Sequence, residues 1–183
     1  NIMRVLSTPP SETFTKVTFP EGYTIARMAA RLQDRVERLT STEFEVAATN
    51  GVVRSAYQPD GVNSLEGLLF PDTYQFRVPT QPAVVIERLV NRHREVWNSI
   101  VNKNPKDTAK LKEKLAWSDR ALLTMASIVE KEAVDPKERR RMAQVFINRL
   151  TFPSFKPRRV ERDPTIRYGC MVPLAKSKAC AAW

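Results

Sequence analysis

Residues 16–49 read KVTFPEGYTIARMAARLQDRVERLTSTEFEVAAT, and this stretch predicts one strand followed by two short helices. The alternating, β-rich residues 16–19 indicate the strand, and Pro-Glu-Gly at 20–22 indicates a turn. Thr24 can cap a helix that ends at about Leu39. The apolar residues of this helix recur on one stripe: Ile25, Met28, Ala29 and Leu32.

The second helix begins at a hydroxyl-bearing cap among residues 40–42 and ends at about Thr49. Asn-Gly at 50–51 terminates it, because glycine readily adopts the left-handed conformation that closes a helix. The residues before the strand are polar and include two adjacent prolines, which is typical of a linker. We therefore expect a linker over residues 1–15 and a small, compact α/β subdomain over residues 16–51.

The remainder of the chain has a predominantly helical pattern. Residues 52–80 are interrupted by proline and glycine, so an extended and partly buried segment is expected there. Helical spacing returns at residues 82–103, 119–134 and 136–150, with a charged connector or short helix at 110–115. The pattern predicts an α+β protein that is mostly helical, with residues 52–183 forming the larger domain.

The net charge of +10 is concentrated outside the N-terminal part of the chain. Residues 1–50 hold six basic and six acidic residues, whereas residues 51–183 hold 24 basic and 14 acidic residues. The larger part therefore either binds an anionic partner, such as nucleic acid, lipid headgroups or peptide-bearing cell wall, or presents a solvated basic surface. No run approaches the roughly 18 apolar residues that a membrane span needs.

Cysteine and histidine are too few for several kinds of site. Cys170 and Cys180 could form one disulfide or remain two unrelated thiols. With His93 as the single histidine, a zinc site lacks ligands. His93 follows one arginine and precedes another on a charged helix, so we expect a surface residue rather than the partner of a serine or cysteine nucleophile.

The apolar helix at 119–134 carries two carboxylates near its end, Glu130 and Glu132. At about 100° per residue, they flank the apolar stripe on opposite sides. Glu132 follows large apolar residues at helical spacing, and Glu130 follows smaller, more polar ones. A desolvated carboxyl group favours its protonated form and can donate a proton. Spacing favours Glu132 only weakly, and two exposed carboxylates at a helix end are the alternative.

Further polar residues follow this helix along the chain. Asn148 lies near the end of the next helix, where it can bond a sugar or cap the helix. Asp163 and Thr165 flank a proline in the loop beyond, and Tyr168 follows them. Asp before Pro favours a turn, so turn chemistry alone explains this loop. Each of these signals is weak by itself.

A combination of longer motifs is much more specific than any single residue. Five blocks occur in one order with sensible spacing: VTFPEGYT at 17–24, LEGLLFPDTY at 65–74, MASIVEKE at 125–132, VFINRL at 145–150 and DPTIRYG at 163–169. Together they resemble the YceG-like endolytic murein transglycosylase family, and the resemblance covers residues 16–169. Several long motifs in the right order make a chance agreement implausible.

The resemblance implies a fold and a location. The family has one N-terminal transmembrane helix in the bacterial inner membrane, with a LysM-like subdomain and a lysozyme-like catalytic domain on the periplasmic side. Residues 16–51 would then be part of the LysM-like subdomain, and residues 52–183 a catalytic domain that is incomplete at its C-terminal side. The membrane helix is absent from this chain, so we expect a piece that is truncated at both ends.

The resemblance also implies site residues. The catalytic glutamate of the family is the second in its Glu-Lys-Glu block, which is Glu132 here. Substrate-binding positions are implied for five further residues: Glu66, Asn148, Asp163, Thr165 and Tyr168. The chain departs from the family pattern at Glu161 and Arg162, which stand where Gln-Thr is usual, so a carboxylate is added near the cleft. Neither a metal nor a cofactor is implied.

The activity implied by the resemblance is endolytic lytic transglycosylation in cell-wall assembly. One carboxylate cleaves the MurNAc-β-1,4-GlcNAc bond of peptidoglycan and leaves a 1,6-anhydroMurNAc end, with cell-wall synthases as partners. Nucleic acid is not an expected partner, because the aromatic residues of 70–76 lie in an apolar segment rather than among basic residues. Two alternatives stay open. One is a hydrolytic muramidase using Asp163 or Glu161 as second carboxylate, and the other is a non-catalytic module that binds the cell wall.

Overall fold

A computed structural model describes residues 13–156 of the chain, together with Tyr168, Cys170 and Cys180. The chain divides into two compact units, Asn1–Lys103 (the N-terminal unit) and Asn104–Trp183 (the C-terminal unit). Helices predominate in the described part, and two strands form its sheet, as the sequence pattern predicts for a mostly helical α+β protein.

The N-terminal unit contains a two-stranded sheet and three helices. In chain order these are β1 (Thr13–Thr18), α1 (Ile25–Gln33), α2 (Ser41–Thr49), β2 (Thr73–Val78) and α3 (Pro82–Lys103). The strands are antiparallel, with Val17 opposite Tyr74 and Thr15 opposite Phe76. Because alternate residues of a strand point to opposite faces, these four side chains share the face that is turned toward the core.

The helix ends follow the predicted capping residues. The Thr24 side chain accepts a hydrogen bond from the backbone N–H of Arg27, and Thr40 forms a capping box with Glu43 at the start of α2. The first four N–H groups of a helix have no partner within the helix, and a capping box satisfies two donors at once. Gly51 follows α2 with φ +79°, in the left-handed region that glycine tolerates. The predicted caps and the glycine stop are therefore confirmed.

The helix expected to reach Leu39 ends at Gln33 instead. The chain leaves the helix through Val36, whose N–H donates to the Leu32 carbonyl at 2.8 Å. Val36 and Leu39 nevertheless stay buried, so the apolar spacing that suggested a longer helix is satisfied by a tight turn that buries the same residues. Arg38 completes this turn with φ 62°.

One contiguous core fills the N-terminal unit. It joins the inner face of the sheet to the three helices, and its largest fully buried side chains include Phe19, Phe44, Phe76, Leu32, Leu65 and Leu89. The extended segment before β2 is fixed on both sides. The Leu65 N–H donates to the Ala48 carbonyl at 3.0 Å, and the Phe70 N–H donates to the Leu89 carbonyl at 3.3 Å. Residues beyond the expected boundary at 51 are thus integral to this unit, which extends to Lys103.

The C-terminal unit is described as a series of helices. These are α4 (Pro105–Leu115), α5 (Asp119–Glu132), a 3₁₀ turn (Pro136–Glu138) and α6 (Arg139–Thr151). Ser118 caps α5 by accepting from the Ala121 N–H, and α5 packs against α6. The helix expected from residue 136 thus begins as a 3₁₀ turn, with Pro136 in its first turn. Of the two possibilities expected for residues 110–115, a charged connector or a short helix, the structure has the helix, which begins earlier, at Pro105.

The buried residues of the C-terminal unit are few in the part that the structure describes. They are Val129, Ala133, Phe146 and Cys170. Cys170 and Cys180 form a disulfide, which decides between the two possibilities left open for them. Among the described residues, no helix combines the length and apolar character required to cross a membrane.

Candidate active site

The C-terminal end of α5 presents two carboxylates in different environments. Glu132 is half-buried, and its Oε1 atom is shielded from solvent. Glu130, two residues earlier on the same helix, is exposed, and so is Asp135 beyond the helix end. The two carboxylates of the Glu-Lys-Glu block therefore differ in their access to water.

This difference arises from the two sides of α5. Ile128 and Val129 precede Glu132 by four and three residues; Ile128 is half-buried and Val129 is buried. The corresponding neighbours of Glu130 are Ala126 and Ser127, which are both exposed. Because residues three and four apart share one helix face, Glu132 lies beside the apolar side and Glu130 beside water. The weak preference that the spacing gave for Glu132 has this geometric basis.

The chain turns sharply just after Glu132. The Ala133 N–H closes the last turn of α5 on the Val129 carbonyl at 2.9 Å, and Ala133 itself has extended dihedral angles and is buried. Asp135 then caps the 3₁₀ turn by accepting from the Lys137 N–H at 2.9 Å. Glu132 is consequently the last residue of a helix whose end is fixed on both sides.

Asn148 lies on α6, the helix that packs against α5. It is half-buried, and its Oδ1 atom accepts a hydrogen bond from Nε2 of Gln144 at 2.7 Å. This bond leaves the Nδ2 group of Asn148 as the donor available to a ligand. Gln144 was not identified from the sequence, although its spacing of four residues from Asn148 is the signal that relates them.

The other predicted site residues fall in three places. Glu66 belongs to the N-terminal unit, where its Oε2 atom accepts from the Ile25 N–H at the start of α1 at 3.0 Å. That contact gives Glu66 a capping role in the fold besides the predicted binding role. Tyr168 is 47% exposed. Asp163 and Thr165, together with Glu161, lie outside the described residues.

His93 is not the surface residue that its charged neighbours suggested. It is half-buried, and its Nδ1 atom is shielded from solvent. Its ring centroid lies 5.8 Å from that of Tyr57 and 6.4 Å from that of Phe70. The segment between α2 and β2 brings these two rings onto α3, a contact that helical periodicity within α3 alone cannot reveal.

The described residues contain no group of three or more His, Cys, Asp or Glu side chains that could hold a metal ion. The geometry described here, a half-buried carboxyl group at a helix end next to a helix carrying an oriented amide, is suited to proton transfer to a bound polar ligand.

Relatives of known sequence give this geometry a context. The model of the YceG-like family matches residues 1–179. The endolytic murein transglycosylase of Bacillus subtilis (strain 168) is 32% identical over 173 residues, which cover 84% of this chain and 43% of that protein. The endolytic murein transglycosylase of Streptococcus pneumoniae serotype 2 (strain D39 / NCTC 7466) is 32% identical over 160 residues, covering 78% of this chain and 28% of that protein.

A solved structure is also similar. The crystal structure of a YceG-like protein from Listeria monocytogenes matches with a TM-score of 0.63 and 25% identity, covering 97% of this chain and 60% of that one. The chain thus spans less than half the length of the two curated relatives that it matches.

Proposed function

This chain belongs to the YceG-like family, and from that premise we propose that it is part of an endolytic lytic transglycosylase of peptidoglycan. The substrate would be the MurNAc-β-1,4-GlcNAc bond within glycan strands, and the product a 1,6-anhydroMurNAc end. The names of the two relatives at 32% identity support the reaction class. Within the described residues, the shielded carboxyl group of Glu132 supports the position of the catalytic acid.

In the first step Glu132 acts as a general acid. Its Oε1 atom is shielded from solvent, and a carboxyl group that the fold holds in position can transfer a proton to or from a bound substrate. Glu132 would donate this proton to the glycosidic oxygen while the bond from that oxygen to C1 of MurNAc breaks. The sugar passes through an oxocarbenium-like state, as in other glycoside cleavage.

In the second step the carboxylate of Glu132 acts as a base. The C6 hydroxyl of the same MurNAc attacks C1 and forms the 1,6-anhydro bridge, and its proton returns to Glu132. No water is consumed, and the enzyme regains its starting protonation state. Such a scheme requires one carboxylate, whereas hydrolysis by the usual route requires a second.

The remaining proposed residues would hold the substrate. Nδ2 of Asn148, oriented by the bond from Gln144, can donate to a sugar oxygen or an acetamido carbonyl. Glu66, Asp163, Thr165 and Tyr168 are proposed to line the glycan site by their positions in the family motifs. A lysozyme-like architecture for the catalytic part and a LysM-like architecture for residues 16–51 belong to the same proposal.

The proposal extends to location and partners. We propose a protein that acts outside the cytoplasm, held in the inner membrane by a single helix, beside the synthases that extend glycan strands. The Cys170–Cys180 disulfide supports an oxidising compartment. Co-purification of the full-length protein with cross-linked synthases from intact cells tests the partnership.

The decisive experiment is mass analysis of peptidoglycan digested by the full-length protein and by its Glu132→Gln variant. The expected products have anhydro ends, each one water lighter than a hydrolytic end. Glu132→Gln should lower the cleavage rate about 100- to 10,000-fold, the usual contribution of a general acid–base. Its circular dichroism spectrum should stay unchanged.

Glu130→Gln is the matched control, because it removes a carboxylate from the same helix end but on the exposed side. It should retain most of the activity. Hydrolytic ends would favour a muramidase with a second carboxylate. Equal cleavage by Glu132→Gln and wild type would refute the assignment of Glu132, and binding to cell wall without any cleavage would favour a non-catalytic module.

A further inference from the structure

A cavity of about 330 Å³ lies within the N-terminal unit, and none of its lining residues belongs to α5 or α6. It is located where the open end of the sheet meets the turn that follows α1. Its lining comprises Thr15, Arg35, Glu37, Arg38, Val78 and Pro79. A volume of this size is at the lower end of small-molecule sites, roughly 300–1,000 Å³.

The lining combines charges of both signs with a small apolar wall. Arg35, Glu37 and Arg38 are exposed side chains on one turn, and among the described residues neither guanidinium is engaged in an ion pair. Arg38 has a left-handed backbone, with φ 62°, which an L-residue other than glycine adopts at an energetic cost. The turn thus holds two forked cationic donors and one carboxylate around one cavity.

This arrangement fits a particular class of ligand. Guanidinium groups bind carboxylates through two parallel hydrogen bonds, and a carboxylate binds an ammonium group. Val78 and Pro79 offer contact to methyl and methylene groups, and Thr15 is a hydroxyl donor or acceptor. None of the six lining residues is aromatic, so the flat stacking surface that favours a sugar ring is missing from the cavity lining.

We propose that this cavity, which we call the Arg35–Arg38 pocket, binds a short peptide that carries two carboxylates and one free amine. If the proposed function holds, on which this identification rests, the natural ligand is the uncross-linked stem peptide of peptidoglycan. A lysine-type stem peptide carries the α-carboxylate of its isoglutamate, its C-terminal carboxylate and one side-chain amine. Those charges complement two arginines and one glutamate. The N-terminal unit would then bind the stem peptide, and the C-terminal unit would supply the acid that cleaves the glycan.

The test is calorimetric titration of the whole chain with N-acetyl-L-alanyl-D-isoglutamyl-L-lysyl-D-alanyl-D-alanine. Saturable binding with one site per chain is expected. Arg38→Gln should weaken it about tenfold or more, because a charge-assisted hydrogen-bond pair is lost. Arg54→Gln, on an exposed arginine of the same unit outside the cavity, should leave the affinity unchanged.

Modified peptides assign the individual contacts. Amidation of the C-terminal carboxylate should weaken binding to wild type. One of the two variants, Arg38→Gln or Arg35→Gln, should then bind the amidated peptide as tightly as wild type does, and that variant identifies the arginine that binds this carboxylate. Acetylation of the lysine amine should remove any difference between wild type and Glu37→Gln. The proposal is overturned if no saturable binding of the peptide is found, or if Arg38→Gln and Arg54→Gln change the affinity equally. It is also overturned if peptide-free glycan binds as tightly as the peptide and the pocket variants abolish that binding.

The glycan chemistry is measured separately, so that the two proposals can fail independently. Cleavage of peptide-free glycan strands by the full-length protein should survive Arg38→Gln, because the pocket lies outside the catalytic machinery. Peptide binding should survive Glu132→Gln. Peptide binding by a full-length protein that cleaves no glycan would overturn the proposed function but not the peptide-binding pocket. Glycan cleavage without peptide binding would overturn the pocket but not the proposed function.

Discussion

The two units of the chain differ most in how they bury apolar residues. In the N-terminal unit, 20 buried residues form one cluster that joins the sheet to three helices. In the described part of the C-terminal unit, only Val129, Ala133, Phe146 and Cys170 are buried, although α5 is rich in large apolar residues. One unit therefore has the packing of a stable core, and the other carries the proposed proton donor on a helix that keeps much of its surface accessible.

The contrast leads us to expect that the described core of the N-terminal unit dominates stability, whereas the proposed proton donor lies in the C-terminal unit. Substitutions in a closely packed core lower the free energy of unfolding, because the cavity they leave costs free energy. A proton donor must instead reach its substrate, so its helix cannot be enclosed on every side. We therefore expect substitutions in the N-terminal unit to act on unfolding, and substitutions near Glu132 to act on cleavage.

The largest effect on stability is expected from Phe44→Ala. Phe44 lies on α2 with 0% of its surface exposed, and its removal should lower the free energy of unfolding of the N-terminal unit by about 3–5 kcal/mol. Hydrogen exchange of the α2 and α3 amides under native conditions measures this. Val46→Ala is the control, because Val46 is on the same helix but 56% exposed, and its effect should stay within about 0.5 kcal/mol. A similar loss of unfolding free energy in both variants would contradict the idea that the buried core of the N-terminal unit determines its stability.

A smaller effect is expected from Thr40→Ala at the start of α2. The Thr40 Oγ1 accepts from the Glu43 N–H at 3.2 Å, and the Thr40 N–H donates to the Glu43 carboxylate at 2.9 Å. Loss of a capping hydroxyl should destabilise the unit by about 1 kcal/mol. Thr42→Ala removes an exposed hydroxyl two residues later in α2 and should change the free energy of unfolding little. Urea unfolding curves of both variants decide the matter, and a larger loss for Thr42→Ala would contradict the capping interpretation.

The smallest effect is expected at Asp72 and depends on pH. The Thr73 N–H at 2.7 Å, and then the Arg92 side chain at 3.0 Å, hold the pKa of Asp72 below its ordinary value. Because the folded-state pKa is depressed, the carboxylate stabilises the fold above the unfolded-state pKa of about 4, and this contribution is lost as pH falls through the folded-state value. Both side chains are exposed and screened by solvent, so the effect should be smaller than that of Thr40→Ala.

Thermal unfolding of wild type and Asp72→Asn at several pH values measures this contribution. The variant should be less stable at pH 7, and the difference should vanish at strongly acidic pH, where Asp72 is protonated in both folded and unfolded states. Arg92→Gln added to Asp72→Asn should then cost only what Arg92 contributes through Glu95 and the Phe70 ring. A difference that persists unchanged in acid would show that packing rather than charge explains the loss.

Much of the fold was predictable because local rules govern it. Caps at Thr24, Thr40 and Ser118, and the glycine stop at Gly51, are set by hydrogen bonds within a few residues of one another. The exception within the N-terminal unit is the end of α1. Val36 and Leu39 keep helical spacing yet lie in a turn, because burial against the core satisfies them without helical geometry. The spacing of apolar residues therefore predicts which residues are buried, and it predicts helical structure only indirectly.

The candidate site was predictable in part. The motif blocks single out Glu132, and its spacing against large apolar residues of α5 gave the same preference. The partners that surround functional groups were harder to foresee. Gln144 orients Asn148 at a spacing that many polar pairs share by chance, and the capping contact between Glu66 and Ile25 links residues 41 positions apart. Neither contact leaves a local pattern.

The sequence by itself determined the family, the order of the elements and the identity of the proposed acid, because these depend on residue type and on neighbours along the chain. Only the tertiary structure decided that the compact unit extends to Lys103, that His93 packs against Tyr57 and Phe70, and that Arg35 and Arg38 share a cavity with Val78 and Pro79. Those features join segments that are distant in sequence. Their contacts arise from the packing of whole elements, for which local spacing carries no information.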